Sequence, residues 1–369
     1  CQDRQGYIWI GTEYGLNKFD GVYFRQYYND ESDERSLIDN IVRRVFTDRD
    51  GVVWFISNRG VQRYNRTSDD FETVMFSSSR TANINDILQT RDGHIWLLSA
   101  EHGVFEVDSD LAAHPVVAVN KLIDKDSKAD NMFLDSKGRL WIAYHDTSLQ
   151  LIDLKKGKSS YYEELLQPDN RAVDIAEDTK YQLYILTYTA VLRLDEPSMN
   201  FEPVATFPRN AVHRFYHDNK GQLLIGTSGS GLWQTDFARH EVRPISGIET
   251  KAPYLNTCKV HAFLQDRDGN QWIGCFQRGL LFASNKQAPF HFLALEQMEH
   301  SNGRVLRSIS SDSQGHCFVC QEDGGVTSVD HTGKALGHWM KNRTVMTMTE
   351  EQAGTFLVGT YRNGLFRLD

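Results

Sequence analysis

The sequence predicts an all-β fold of many small, similar sheets, on three observations. One phrase returns nine times in 369 residues, first as Asp3-Arg4-Gln5-Gly6-Tyr7-Ile8-Trp9-Ile10-Gly11-Thr12 and on through Gly15-Leu16 to Asp20. Each copy holds a turn position, a bulky apolar residue three places later, and a small–aliphatic doublet beyond it. The copies lie 39 to 48 residues apart, about 43 to 44 on average, and carry strand rather than helix patterning. That period with that content marks a toroid of four-stranded antiparallel sheets, a β-propeller.

The elements follow in order from repeat two. Arg44 to Asp48 alternates into a tight turn at Asp50-Gly51, where glycine reaches positive φ without a Cβ clash. Val52 to Ser57, with Trp54, is a second strand. Asn58-Arg59-Gly60 turns the chain into Val61 to Asn65, and Thr67 to Asp70 turns it again into Phe71 to Phe76. The turn glycine recurs at Gly6, Gly51, Gly93, Gly138, Gly221, Gly269, Gly315 and Gly354, with Tyr181 in the fifth copy. The bulky slot holds Trp9, Trp54, Trp96, Trp141, Tyr184, Leu224, Trp272, Phe318 and Leu357. An offset kept across nine copies is geometric, so these side chains are assigned to the space between stacked sheets.

Seven repeats of this length close a ring, within the usual range of four to eight blades. Residues 1–293 are therefore expected to form a first, seven-bladed propeller. Residues 294–369, which follow Pro289-Phe290 and include the polar stretch 296–304, are expected to open a second with two blades. One continuous ring of eight or nine blades is the alternative. The first repeat starts from the stub Cys1-Gln2-Asp3, which predicts a piece of a longer protein.

Forty Lys and Arg against 49 Asp and Glu give a net charge of −9, which argues against a nucleic-acid partner. No apolar run is long enough to span a bilayer as a helix, and no membrane contact is expected. Cys317 and Cys320 point to opposite faces of a strand and read as apolar thiols rather than metal ligands. Cys258 and Cys275 fall on neighbouring strands, where a bridge is geometrically open; five cysteines set no compartment.

The phrase Asp-x-x-Gly-x-x-Trp-Ile-Gly-Thr-x-x-Gly-Leu-x-x-Phe-Asp resembles the two-component regulator propeller repeat, best over 3–20, 266–280 and 351–369, and the resemblance covers nearly the whole chain. It implies the periplasmic sensor region of a hybrid two-component histidine kinase, the extracytoplasmic part of an inner-membrane protein. Such a region would bind polysaccharide-derived oligosaccharides and control glycan-utilisation genes. The implied partners are an oligosaccharide and the remainder of the same kinase chain; a homodimer stays open. Neither kinase nor response-regulator sequence is present.

Asp48-Arg49-Asp50-Gly51 and Asp266-Arg267-Asp268-Gly269-Asn270 look like calcium loops but lack the downstream carboxylate, so turn-capping carboxylates fit better. His213 and His217, four apart on one strand, have no further ligand nearby. No metal and no cofactor are expected. The Asp-x-x-Gly-x-x-Trp turn also superficially resembles the Asp-box of sialidase propellers, but no symmetry-breaking catalytic set accompanies it, nor any nucleophile elbow or phosphate loop. No catalytic residue is assigned. The expected ligand surface is the set of second-to-third strand turns, whose residues differ between copies: Tyr14, Arg59, His102, His145, Tyr188, Gln277 and Arg278. Flat rings suit sugar faces and polar heads suit hydroxyls. A propeller glycosidase or lyase and a protein-binding scaffold are the alternatives.

Overall fold

The computed structural model describes residues 1–76, 83–124, 127–145, 149–162, 170–209, 212–245, 255–285, 305–330 and 335–369. Asp146 and the stretch 286–304, with the expected 293/294 division, lie outside them. Two compact units divide the chain, Cys1–Asn285 and Lys286–Asp369.

The chain is an all-β propeller protein, with nine sheets, antiparallel but for one strand pair, among the described residues. Seven belong to the first unit. Sheet two runs Val42–Thr47, Val53–Ser57, Gly60–Asn65 and Asp70–Thr73, close to the strands read from sequence. Sheets four, five and six repeat this order from Ala129–Leu134, Ala172–Glu177 and Val212–His217. Sheets one and seven show three strands each, and in sheet one Gln2 bridges Ile8, so the stub supplies the innermost pairing. The second unit holds a sheet of four strands from Leu306–Ser311 and one of three from Val345–Gln352.

One strand departs from expectation. The fourth strand of repeat two ends at Thr73, and Met75–Phe76 pairs in parallel with Ala112–Ala113 of sheet three, giving that sheet five strands. Val74 and Phe76 are buried with Ile84, Leu111 and Ala113, so the chain crosses the seam where its apolar side chains are covered.

The repeated slot is the wedge between sheets. Trp9, Trp54, Trp96, Trp141 and Trp272 are all buried, from 0% to 9% exposed. Each core cluster of the first unit joins one sheet to the next: Trp54 and Ile56 meet Ile87 and Ile95, and Trp141 and Ala143 meet Ile175 and Leu183. Sheets seven and one also touch. Arg267 donates to the carbonyl oxygens of Arg4 (2.9 Å) and Asp3 (2.5 Å), and Phe19 packs edge-on to Trp272 with centroids 5.6 Å apart.

The first Asp of the phrase ties turn to wedge. Asp48 Oδ1 accepts the N–H groups of Asp50 (3.0 Å) and Val52 (2.8 Å), while Oδ2 accepts the Trp54 indole N–H (2.8 Å). Asp3–Trp9, Asp135–Trp141 and Asp266–Trp272 repeat the indole bond at 2.8 to 2.9 Å. In sheet three Thr90 occupies the Asp slot, and Trp96 donates to Glu106 instead. These carboxylates have structural work at the hairpin, as the turn-capping reading expects.

Candidate functional site

Antiparallel order puts the first-to-second turns of the first unit at one end of each sheet. The second-to-third turns and the links between sheets share the other end. At that second end the innermost strands of sheets two to seven carry the same irregularity. The ladder slips by one residue at Arg43, Asn85, Asp130, Val173, His213 and His261 in successive sheets. A β-bulge of this kind lifts one side chain off the pairing pattern and re-aims it. The slot repeats, yet its occupants differ.

In sheets two to six the next residue (Arg44, Asp86, Asn131, Asp174 and Arg214) laces strand to strand. Arg44 pairs with Asp86, whose Oδ2 accepts the Met132 N–H (3.0 Å). Arg214 lies 3.8 Å from Asp174, which accepts the Phe215 N–H (2.8 Å). Asn131 donates to the Val173 carbonyl (2.8 Å). Burial pushes the Asp174 carboxyl up, against the pull of Arg214 and Arg44. These charges, paired with one another and bonded to neighbouring backbone, lace the inner strands together.

Two clusters at the bulge level are more accessible. In the first, Arg171 on the link into sheet five reaches the Tyr188 hydroxyl (3.2 Å), Asp130 (3.2 Å) and His145 Nδ1. The Arg209 guanidinium stands 5.8 Å from the Tyr188 ring centroid. In the second, the His213 and His261 rings lie 4.5 Å apart, His261 stacks on Phe276 at 5.4 Å and 20°, and Lys259 Nζ sits 5.5 Å from the Phe276 centroid. Burial above all lowers the pKa of both histidines, and Lys259 nearby adds to it, which favours their neutral form. Buried His213 Nε2 has no hydrogen-bond partner. His213 thus meets His261 of the next sheet; His217 turns instead to the Glu177 carbonyl (2.8 Å). Among the described residues no group of three or more His, Cys, Asp or Glu is placed to hold a metal.

Of the residues singled out from sequence, the structure brings His145 and Tyr188 together, bridged by Arg171. Gln277 and Arg278 directly follow Phe276 in the turn of sheet seven. Tyr14 is 81% exposed, with its N–H on the Thr12 hydroxyl (3.0 Å). Arg59 and His102 belong to separate hollows. Arg59 lines one of about 370 Å³ with the acidic link Asp30, Glu31, Asp33 and Glu34; His102 lines one of about 270 Å³ with Glu101, Asn120 and Asp124. Sequence reasoning passed over Arg171, Arg209, Lys259, His261 and Phe276. The bulge slot was open to detection, because it always follows the aliphatic residue nine places before the turn position: Val42, Ile84, Ala129, Ala172, Val212, Val260.

The architecture and this face define the class, a β-propeller with a rigid scaffold and a chemically varied mouth. The model of one family, the two component regulator propeller, matches residues 1–14. No curated protein matches. Among solved structures, the extracellular domain of the putative hybrid two component system BT3049 from B. thetaiotaomicron is similar at 22% identity and a TM-score of 0.64, over 100% of this chain and 50% of that one. The extracellular domain of BT4673 from the same organism gives 17% and 0.60, with the same coverage. Virginiamycin B lyase from Staphylococcus aureus gives 14% and 0.59 over 76% of this chain and 92% of that one. The chain spans about half the length of these two extracellular domains, and at these identities the likeness is one of fold.

Proposed function

We propose that this chain is the ligand-sensing part of a hybrid two-component sensor kinase, placed outside the cytoplasm in the periplasm. In this reading residues 1–285 form a closed seven-bladed ring, and the strands beyond Lys286 open a second. The ring binds a polysaccharide-derived oligosaccharide at the bulge-level mouth and performs no chemistry on it. The observation that carries the reading is the contrast between slots. Wedge and turn positions repeat, whereas the bulge and the adjoining turns hold Arg, Asn, Asp, His, Tyr and Phe in no repeated order. A rigid scaffold with variable loop chemistry is how binding faces are commonly built. The Arg171–Tyr188–His145 and His213–His261–Phe276 clusters supply flat rings and fixed donors, the two things a sugar needs. Kinase control follows if the ligand binds one arrangement of the full sensor more tightly than another, which shifts the population toward it. The resemblance to the extracellular domains of two-component systems supports this, and similarity to a lyase extends to the fold alone.

Titration calorimetry against a panel of oligosaccharides, with product analysis of the same samples, tests it. Saturable binding without turnover, weakened by Arg171→Ala and Phe276→Ala, is expected. Turnover would replace the sensor by an enzyme, and silence across the panel would favour a protein-docking scaffold.

A further inference from the structure

We infer that Cys258 and Cys275 are a disulfide site that fastens the link before sheet seven to that sheet's second strand. The two sulfurs lie 2.9 Å apart, both buried, and each belongs to a different segment. Cys258 directly follows the short 3-10 turn Leu255–Thr257, two residues before the innermost strand Val260–Gln265; Cys275 ends the strand Gln271–Cys275. A disulfide needs about 2.05 Å between sulfurs, so less than about 1 Å of side-chain movement makes the bond. The surrounding backbone is already tied. Cys258 carbonyl accepts the Gly231 N–H (3.1 Å) and Lys259 carbonyl accepts the Phe276 N–H (2.9 Å). The other cysteines offer no such geometry: Cys317 and Cys320 share one strand, three residues apart.

The chemistry balances with a small disulfide as oxidant. The thiolate of one cysteine attacks an oxidant sulfur and releases one reduced thiol. The second cysteine then attacks the mixed disulfide and releases the other. The pair loses two protons and two electrons, and the oxidant becomes two thiols. Burial pushes the Cys275 thiol up to about 12, with the Cys258 sulfur adding to it, so the folded, reduced pair reacts slowly. Oxidation is therefore fastest while the chain folds, and the finished bond is shielded from reductants. Lys259, His261 and Phe276 flank the two cysteines, so the bond would also fix one of the two clusters at the mouth. Its occurrence in the cell rests on the extracytoplasmic placement above; the geometry does not.

The test is refolding of the whole chain in a glutathione redox buffer, followed by alkylation and peptide mapping without reduction. A linked peptide pair holding Cys258 and Cys275, lighter by two hydrogens than the alkylation-free dithiol, is expected. Closing a loop of this length should raise the unfolding temperature by roughly 5 °C relative to the reduced protein. Cys258→Ala should abolish both the link and that difference, while Cys317→Ala should leave both intact. Two free thiols at 258 and 275 after oxidative refolding, or a link to a different cysteine, overturns the inference. Thiols trapped at lysis test the placement separately. A pair that links in the tube but is found reduced in the cell leaves the site standing and counts against the extracytoplasmic reading.

Discussion

Replacing Asp135 by alanine should be among the most damaging single changes to the first unit outside its apolar wedges. Asp135 is 1% exposed and accepts four hydrogen bonds: from the N–H groups of Lys137 (2.9 Å) and Arg139 (2.8 Å), from the Arg139 guanidinium (2.6 Å) and from the Trp141 indole (2.9 Å). Trp141 itself is fully buried, so its N–H loses its partner without gaining water. An orphaned buried donor costs about 1–3 kcal/mol, and the two turn N–H groups, nearer solvent, cost less each. Arg139 keeps Glu196 at 2.7 Å, which limits the charge penalty. The expected loss is about 3–4 kcal/mol. Asp135→Asn keeps an acceptor for the turn but sets an amide N–H against the indole N–H, and should lose about half as much. Thr90→Ala is the control. It occupies the same slot in sheet three, but Trp96 bonds Glu106, and the Thr90 hydroxyl serves only the exposed turn, at the His94 carbonyl (3.1 Å) and the Asp92 carboxylate, so about 1 kcal/mol or less is expected. Urea unfolding followed by tryptophan fluorescence measures all three. Equal losses at Asp135 and Thr90, or an Asp135→Ala loss below about 0.5 kcal/mol, would refute the assignment of this carboxylate as the tie between turn and wedge.

Further outcomes are expected at the mouth and the turns. Phe276→Ala removes the ring beneath His261 and Lys259 and should weaken oligosaccharide binding by about tenfold, read by calorimetry, with little change in the unfolding temperature. Acidification should destabilise the protein through His213 and His261. Their folded pKa values lie below the unfolded value, so the unfolded chain binds more protons once pH falls through about 6.5. Stability should be flat above that pH from this source and decline below it, and a His213→Gln, His261→Gln variant should show a shallower decline on thermal scans from pH 7.5 to 5.5. Gly231→Ala should cost clearly more than Gly138→Ala. Both glycines have positive φ, 73° and 77°, a strain of about 1–2 kcal/mol for an L-residue. A Cβ on Gly231 would also lie 2.0 Å from the Leu255 carbonyl oxygen, whereas nothing lies within 4 Å at Gly138. Equal unfolding midpoints would contradict the close approach of that link.

The fold was legible because its determinants are local and repeated. A turn glycine, an aromatic three residues on and an apolar strand recur together, and Trp9 to Trp272 lie between sheets as that spacing requires. Departures arose where a contact crosses between repeats. Met75–Phe76 leaves its own sheet because the cover for Phe76 comes from Leu111 and Ala113 of the next one. Trp233, outside the wedge slot, is buried by its neighbours and donates its indole N–H to the Ser230 carbonyl (3.0 Å). The mouth was half legible. Variable turns marked His145, Tyr188, Gln277 and Arg278, but Arg171 sits on a link with no motif, and only the folded chain sets it against Tyr188 and Asp130. The bulge that re-aims His213 and His261 is marked only by the aliphatic residue before it, since the slot itself accepts Arg, Asn, Asp, Val and His alike.

Hydrogen–deuterium exchange on adding a binding oligosaccharide asks directly which end of the first unit takes the ligand. Slower exchange confined to residues 170–173, 187–190, 212–214, 259–262 and 275–279 is the predicted footprint. Protection appearing instead at the opposite turns, around Asp48–Gly51, Asp135–Gly138 and Asp218–Gly221, would contradict it.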